Sequence, residues 1–286
     1  MKKLALALAL VLAAPLHAAP RNFMWKATRG PGVVYLVGSI HMLTKDYYPL
    51  STELESAFKD SDLLVEEADL AEMLSPASQF MLLQRGMLPS TTSLEKSLTP
   101  ATYTLLSKRI AAAGMPIEAL QRLKPWMIAL TLEALEWQKA GLDPDLGLDK
   151  HFFDRAQVDG KAVQGLETAE YQISRFDEMT MAQQDQMLAD SLKDLDTETA
   201  NVTKLADAWK VGDAPTVERI VLADLKSDPV MYQRLLVDRN RNWLPKIEAL
   251  FGRRSRAFIV VGAAHLVGPD GIVAMLRAKG YAVEQQ

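Results

Sequence analysis

Short runs of apolar, β-branched residues recur along the chain, and two of them end in the same motif. The sequence VVYLVGSIH covers residues 33–41, and AFIVVGAAHL covers residues 257–266. Runs of this length without polar alternation are typical of strands that are buried on both faces of a parallel sheet. Each run contains the pattern Gly-x-x-His, so the two strands are expected to deliver His41 and His265 at their carboxyl ends.

Two further strands are predicted to end in carboxylates. Leu63 to Glu67 follows an amphipathic helix predicted at Thr52 to Lys59, and Lys161 to Leu166 is followed directly by Glu167. Ligand sites of open parallel sheets lie beyond the carboxyl ends of their strands. We therefore expect Glu67 and Glu167 near the two histidines.

The remainder of the pattern is helical. Residues from Leu70 to about Leu148 contain helix starts and glycine stops but no strand pattern, which predicts a helical insertion over about 70–148 that covers the sheet or the site. Asp149 is predicted to cap the next helix. In the last long helix Arg239 falls on an otherwise apolar stripe that includes Trp243, and Pro245 is predicted to kink or end that helix.

These elements predict an α/β fold with a central, mostly parallel sheet. Each half of the chain contains a strand ending in Gly-x-x-His, a loop, a short helix and another strand, so the sheet is expected to be built from two similar strand-helix-strand halves with large helical insertions. Residues 19–286 are predicted to form a single domain.

The first residues have the composition of a signal peptide. Lys2 and Lys3 precede an apolar stretch from Leu4 to Leu12, and Ala18 ends a tolerable cleavage site. This pattern predicts a signal peptide over residues 1–18 and a periplasmic location. The chain has no cysteine, so neither a lipid anchor nor a disulfide is expected, and no later apolar stretch has the length of a membrane anchor.

Charge argues against a nucleic-acid partner. The formal net charge of the chain is −4, and a protein that neutralises phosphates needs a basic face. The dense basic cluster of Arg253, Arg254 and Arg256 lies where a helix is predicted to lead into a strand, and we interpret it as a solvated turn.

The predicted set of two imidazoles and one or two carboxylates is suited to a divalent ion such as Zn, Mn, Co or Fe with positions open for water. Such an ion lowers the pKa of its bound water from about 15.7 towards about 7. The motifs G-x-S-x-G, H-E-x-x-H, Walker A and G-x-G-x-x-G are absent from the sequence.

Several assignments have structural alternatives. Only three histidines follow residue 18, and two of them close similar strands, which favours a shared site; His151 is interpreted as structural. Glu67 is favoured over Glu66 because strand alternation places them on opposite faces. Glu167 is suited equally to a site role or to a helix N-terminus. Arg239 either extends its guanidinium to solvent or meets a carboxylate or a developing oxyanion.

An ordered set of motifs resembles the TraB/GumN family, a group that also includes the Tiki proteases and the pheromone-shutdown protein PrgY. The resemblance covers nearly all of the chain after residue 18. It is carried by the two Gly-x-x-His motifs and by Tyr48-Pro49-Leu50, Ser61-Asp62, Glu67-Ala68-Asp69, Gly147-Leu148-Asp149, Gly165-Leu166-Glu167-Thr168, Trp209 with Gly212-Asp213, and Arg239-Asn240. Ser39 stands where the family usually has threonine.

The resemblance implies an erythromycin-esterase/ChaN-like α/β fold and metal-dependent peptide hydrolysis supported by Mn or Co. By position it implies that His41, Glu67 and His265 form the metal or catalytic set, with Arg239 supporting it. The resulting hypothesis is a periplasmic hydrolase of a peptide or small-molecule substrate, in which Mn, Co or Zn activates water.

In this hypothesis Glu167 or Glu66 accepts a proton and Arg239 stabilises the oxyanion. The alternative is a periplasmic protein that sequesters a peptide or haem-like ligand without turnover.

Overall fold

The protein is described by a computed structural model that covers residues 21–252 and 256–286. The predicted signal peptide at residues 1–18, and Arg253 and Arg254 of the basic cluster, lie outside the described residues.

A six-stranded sheet forms the centre of the described chain. Five strands run in one direction and only β1 is antiparallel to its neighbours, which confirms the predicted α/β class with a mostly parallel sheet. The spatial order is β4-β3-β5-β2-β1-β6. The strands are β1 (Met24–Arg29), β2 (Gly32–Ser39), β3 (Leu63–Ala68), β4 (Ala162–Glu167), β5 (Ala257–Gly262) and β6 (Ala282–Gln285).

The two strands that carry the Gly-x-x-His motifs are direct neighbours. β2 and β5 pair in parallel, and Ser39 lies opposite Gly262 in the register. β3 is the other neighbour of β5, and β4 flanks β3. This order places the carboxyl ends of four consecutive strands side by side.

Helices and short helical turns account for most of the remaining chain. The helices are α1 (Thr52–Lys59), α2 (Leu70–Met73), α3 (Pro76–Arg85), α4 (Leu94–Ser97), α5 (Pro100–Ala112), α6 (Pro125–Lys139), α7 (Leu148–Asp159), α8 (Ala169–Asp177), α9 (Met181–Lys210), α10 (Ala214–Ser227), α11 (Pro229–Tyr232), α12 (Asp238–Leu250) and α13 (Ile272–Ala278). Helical turns of the 3₁₀ type lie at Lys45–Tyr47, Ile117–Leu120, Pro144–Leu146 and Ala263–His265, and a π-helical turn lies at Gln233–Val237.

The sheet lies in the main hydrophobic core. The buried ring of Phe258 on β5 contacts Phe152 of α7 and Phe58 of α1, with ring centroids 4.6 and 5.3 Å apart. α12 adds Trp243 and Ile247 to the same core. A second cluster joins α5, α6 and α9 and is separate from the sheet. Because apolar area removed from water contributes about 25 cal/mol per Å², burial of both sheet faces is the main force that holds this architecture.

The structure corrects the predicted cap of α7 and the predicted end of α12. Helix α12 does not end at Pro245 but continues through it, because Trp243, Ile247 and Leu250 are buried and their packing offsets the missing N–H of the proline. Asp149 does not cap α7; the cap position is Gly147, and the Asp149 side chain bonds to His41 instead.

None of the helices within the described ranges combines the length and the apolar character that crossing a membrane requires.

Candidate functional site

The structure brings the predicted residues together at the carboxyl ends of β2, β3, β4 and β5. Glu67 lies near the end of β3, and Glu167 is the last residue of β4. His41 follows β2 by two residues, and His265 ends the 3₁₀ turn after β5. Arg239, from the first turn of α12, extends its side chain between them.

Glu67 is a buried carboxylate that accepts three hydrogen bonds. Its Oε1 accepts from the backbone N–H of Gly262 at 2.6 Å. Its Oε2 accepts from Arg239 Nη2 at 2.5 Å and from Gln172 Nε2 at 3.1 Å. Burial raises the pKa of Glu67, but the charges of Arg239 and His41 and the hydrogen bond from the Gly262 amide outweigh it. The pKa of this carboxyl therefore lies well below its usual range.

Arg239 uses all five of its N–H groups inside the protein. Nε donates to both oxygens of Glu167 at 3.1 and 3.2 Å, and Nη2 donates to Glu167 at 2.7 Å as well as to Glu67. Nη1 donates to the Leu235 carbonyl at 3.3 Å and to His265 Nε2 at 3.1 Å. A guanidinium has five donors, so none is left for a substrate oxyanion in this arrangement.

Glu167 is held as firmly as Arg239. Besides the guanidinium, it accepts from the indole N–H of Trp243 at 2.8 Å. Burial raises the pKa of Glu167 above its ordinary value, although Arg239 and Trp243 act in the opposite direction. Arg239 and Trp243, the two side chains that donate to the Glu167 carboxylate, both belong to α12. These hydrogen bonds therefore join the end of β4 to that helix.

His265 is buried and its tautomer follows from its partners. The side-chain amide of Asn240 donates to the carbonyls of His265 and Asp270 at 3.3 and 2.8 Å, so its Oδ1 faces the ring. His265 Nδ1 donates to that oxygen at 2.6 Å, and Nε2 accepts from Arg239. Burial lowers the pKa of His265 to about 3, with the charges of Arg239 and His41 acting in the same direction and Glu67 opposing it. The ring is therefore neutral with its proton on Nδ1.

His41 has the corresponding arrangement at the mouth of the site. Its Nδ1 bonds to Asp149 Oδ2 at 2.8 Å, and its side chain is 58% exposed. The adjacent backbone is fixed because Leu148 N–H donates to the Ile40 carbonyl at 3.1 Å. The charge of Asp149 beside the ring raises the pKa of His41 to about 9. Asp149 thereby orients the ring so that Nε2 lies beside Gly262.

The two imidazoles and Glu67 meet above Gly262. A Cβ atom placed on Gly262 would lie 3.1 Å from Glu67 Oε1, 3.5 Å from His41 Nε2 and 3.6 Å from His265 Cδ2. His265 Nε2 is 3.7 Å from Glu67 Oε1. The missing side chain of this glycine leaves the space in which the three groups converge.

A cavity of about 320 Å³ opens beside these groups. His41, Glu66, Glu67 and Asp149 are among the residues that line it. The chain turns into α2 directly after β3, and Glu66 Oε2 accepts from Leu70 N–H at 3.1 Å. Glu66 Oε1 is buried without a hydrogen-bond partner among the described residues. Burial raises the pKa of Glu66 to about 8, against the effect of that backbone bond.

The donor chemistry of this set fits a divalent ion. In both imidazoles Nδ1 is hydrogen-bonded to a side-chain oxygen: that of His41 to Asp149, and that of His265 to Asn240. Histidines that bind a metal through Nε2 usually have such a hydrogen bond at the other ring nitrogen. The three carboxylates of Glu67, Glu167 and Asp149 face two cationic groups, Arg239 and His41, so one formal negative charge remains to attract a cation.

The geometry is not yet that of a coordination sphere. His265 Nε2 bonds to Arg239, and no three His, Cys, Asp or Glu side chains within residues 21–252 and 256–286 are already arranged as metal ligands. For His265 Nε2 to bind an ion, its hydrogen bond with Arg239 would have to break. An ion bound to His41 Nε2 would also displace the proton on that nitrogen.

Sequence patterns did not assign several of the supporting residues. Asp149 was predicted as a helix cap and Trp243 as part of an apolar stripe, and Gln172 had no assigned role. Asp149 and Asn240 both stand in motifs that carry the family resemblance, which was the only available signal for them. The roles predicted for His41, His265, Glu67, Glu167 and Arg239 stay predictions, but the structure places all five together.

Comparison with known proteins gives a family and two relatives. The model of the TraB/PrgY/gumN family matches residues 23–285. The chain is 30% identical over 246 residues to a protein of Escherichia coli (strain K12) named "Uncharacterized protein YbaP", covering 85% of this chain and 87% of that protein. The protein of the same name from Shigella flexneri matches with the same identity and coverage. No solved structure matches the chain significantly.

Proposed function

The chain belongs to the TraB/PrgY/gumN family, and from that premise we propose that it is a hydrolase of peptide bonds that works with a divalent metal ion. One observation carries the proposal. His41 Nε2, the Cδ2 edge of His265 and Glu67 Oε1 all lie within 3.6 Å of one point above Gly262. The three side chains thus border one unfilled position, which is the kind of space that the ligands of a metal ion must share.

His41, His265 and Glu67 would hold the ion, with Asp149 and Asn240 as their supports. An ion of the Mn, Co or Zn type supplies a hydroxide nucleophile at neutral pH by lowering the pKa of bound water. Glu67 is suited to be a metal ligand because its low pKa keeps the carboxylate ionised. The cavity of about 320 Å³ is at the lower end of ligand pockets, which span roughly 300–1,000 Å³.

The contacts of Glu66, Glu167 and Arg239 support a narrower form of the proposal for proton transfer and for the role of the arginine. Glu66 lines the cavity and its buried Oε1 has no hydrogen-bond partner in the described chain, whereas both oxygens of Glu167 are bonded to Arg239 or Trp243. We assign proton exchange with the substrate to Glu66. Arg239 then acts as a positioning residue that holds Glu67 and Glu167, because its five donors are already used.

A peptide-library digest tests this function. Wild-type protein is incubated with a mixed peptide library and Mn, Co or Zn in turn, and new termini are detected by mass spectrometry. We expect cleavage with at least one metal and a loss of about 100-fold or more in His41→Ala. His151→Ala is the matched control, because His151 belongs to α7 but does not line the cavity.

An absence of new termini with every metal contradicts the proposal, and so does equal cleavage by His41→Ala.

A second candidate is a protein that binds a peptide without turnover. The observation that favours it is the hydrogen bond from Arg239 to His265 Nε2. This bond occupies the nitrogen lone pair that would otherwise bind a metal. For a pure binder, peptides raise the melting temperature in the absence of metal and are recovered intact. For the hydrolase, the same peptides are recovered cleaved once metal is added.

The proposed location is the periplasm. It is supported by the charged and apolar composition of residues 1–18. Cleavage after Ala18 is expected, so the intact mass of the exported protein should correspond to a chain that begins at Ala19. A mass that includes residues 1–18 would contradict it.

A further inference from the structure

One wall of the cavity beside Glu66 and Glu67 is apolar. Leu70 and Met73, at the two ends of α2, line the cavity together with the next residue, Leu74. The wall lies in the same cavity as His41 and Asp149, so an apolar surface and the ionisable groups of the site share one cavity, which is open to solvent on one side.

The wall is open to a ligand because its side chains are not fully packed. Leu74 is 56% exposed, and Leu70 and Met73 are half-buried. Helix α3, which follows Leu74, is anchored by Met81 and Leu82, which pack beside the buried ring of Trp126. The exposure of Leu74 is thus a property of a well-anchored segment.

A second observation in the same cavity indicates a polar partner for the ligand. Glu66 is only 2% exposed, and its Oε1 has no hydrogen-bond partner in the described chain. A buried polar atom without a partner costs about 1–3 kcal/mol, which a ligand removes when it supplies the missing bond. A peptide group offers both an N–H and a C=O, so it satisfies this oxygen whether the carboxyl is ionised or protonated.

We propose that Leu70, Met73 and Leu74 form a subsite for an aliphatic or aromatic side chain of a peptide, next to the peptide group that contacts Glu66. The inference rests on the proposed function in so far as it takes a peptide as the ligand. The cavity volume of about 320 Å³ limits the part of the peptide that lies inside the cavity to a short segment. An apolar side chain is selected because a polar one would lose its water against this wall without gaining a bond.

Binding of two labelled peptides tests the subsite. Both are eight residues long and capped at each end; one contains leucine, valine and phenylalanine, and the other contains serine, asparagine and glutamine at the same positions. Fluorescence anisotropy is measured without added metal on wild-type protein, Leu74→Ser and Leu83→Ser. Leu83 is the matched control because it is 63% exposed on α3 but does not line the cavity.

We expect the apolar peptide to bind wild-type protein at least 10-fold more tightly than the polar one. Leu74→Ser should weaken binding of the apolar peptide by about 10-fold, whereas Leu83→Ser should leave it within about twofold. Glu66→Leu should also weaken binding, and Glu66→Gln, which keeps a donor and an acceptor, should restore it. Equal binding of the two peptides, or equal losses in Leu74→Ser and Leu83→Ser, overturns the proposal.

The hydrolysis assay separates this inference from the function on which it rests. Apolar peptides that bind with the expected preference but are never cut, with any metal, support the subsite and contradict the hydrolase. Peptides that are cut without any preference for apolar residues support the hydrolase and contradict the subsite.

Discussion

Arg239 is the residue on which the other groups of the site depend. Its guanidinium joins the carboxylates of β3 and β4 and the imidazole that follows β5. Two negative charges around one positive charge keep the arrangement stable despite its burial, and the planar fork of arginine matches Glu167 in a way that lysine cannot. Its importance for stability is therefore expected to exceed that of any exposed ion pair.

Replacement of Arg239 tests this expectation. Arg239→Met leaves two buried carboxylates without their partner and should lower the free energy of unfolding by roughly 3–5 kcal/mol. Arg239→Lys should recover only part of that loss. Arg85→Met is the control, since Arg85 pairs with the exposed Glu170 and such pairs contribute about 0–1 kcal/mol. Equal losses in Arg239→Met and Arg85→Met, measured by urea unfolding, would contradict this role.

The glycines of the two Gly-x-x-His motifs are equivalent in sequence but not in structure. A Cβ on Gly38 would lie 2.2 Å from the buried ring of Phe23, whereas a Cβ on Gly262 would enter the space between His41 and Glu67. Gly262 has φ −48° and ψ 138°, which alanine also adopts. Gly38 therefore allows the ring of Phe23 to pack against β2, and Gly262 leaves the space between His41 and Glu67 open.

The two alanine substitutions are expected to have opposite effects. Gly38→Ala should lower the free energy of unfolding by about 1–3 kcal/mol through overpacking, while the folded fraction keeps most of its activity. Gly262→Ala should change stability by less than about 1 kcal/mol and reduce hydrolysis by 10-fold or more. Urea unfolding and rates per folded molecule measure both, and a reversed ranking would show that the assignment is wrong.

Residue patterns could predict the groups that end strands but not the groups that hold them. His41, His265 and Glu67 each follow an apolar run, which leaves a clear signal. Asp149 at the start of a helix has the pattern of a cap, and its bond to His41 spans 108 positions of sequence. Only the fold reveals which of the two roles a polar residue of this kind has.

At the scale of elements, the packing of α6 against α9 contains a buried carboxyl. Ser191 of α9 donates to Glu133 of α6 at 2.5 Å. Burial raises the pKa of Glu133, and the hydroxyl only partly opposes this effect. Because the folded-state pKa exceeds the unfolded value, ionisation of Glu133 destabilises the fold as the pH rises above about 4.5.

Glu133→Gln removes this charge and keeps an acceptor for Ser191. The variant should melt a few degrees above wild-type protein at pH 8 and together with it at pH 4, as measured by calorimetry. Glu136→Gln, on the same helix, is the control because Glu136 pairs with an exposed lysine. A gain that is the same at both pH values would indicate a cause other than ionisation.

Local sequence patterns predicted some helical segments correctly and missed others. α1 at Thr52–Lys59 matches its prediction, because its apolar and polar faces are cleanly separated. The continuation of α12 through Pro245 was not predictable from local rules, since it depends on core packing around Trp243. The π-helical turn at Gln233–Val237, directly before α12, was equally hidden, although such turns are frequent at functional sites.

At the scale of the whole molecule, the strand order accounts for the site. His41 and His265 are 224 positions apart but follow adjacent parallel strands, and the strands that carry Glu67 and Glu167 come next. The rule that parallel strands present their carboxyl ends on one edge predicts this convergence. The order itself was not predictable, because apolar runs of similar composition carry no information on which strands pair.

The most direct test of the metal-dependent account is a titration of the metal-free protein with Mn, Co and Zn by calorimetry. We expect one ion per chain for at least one metal, loss of that binding in His41→Ala and in His265→Ala, and retention in His151→Ala. Binding of every metal by His41→Ala and His265→Ala at wild-type affinity, or no binding of any metal by the wild-type protein, would contradict it.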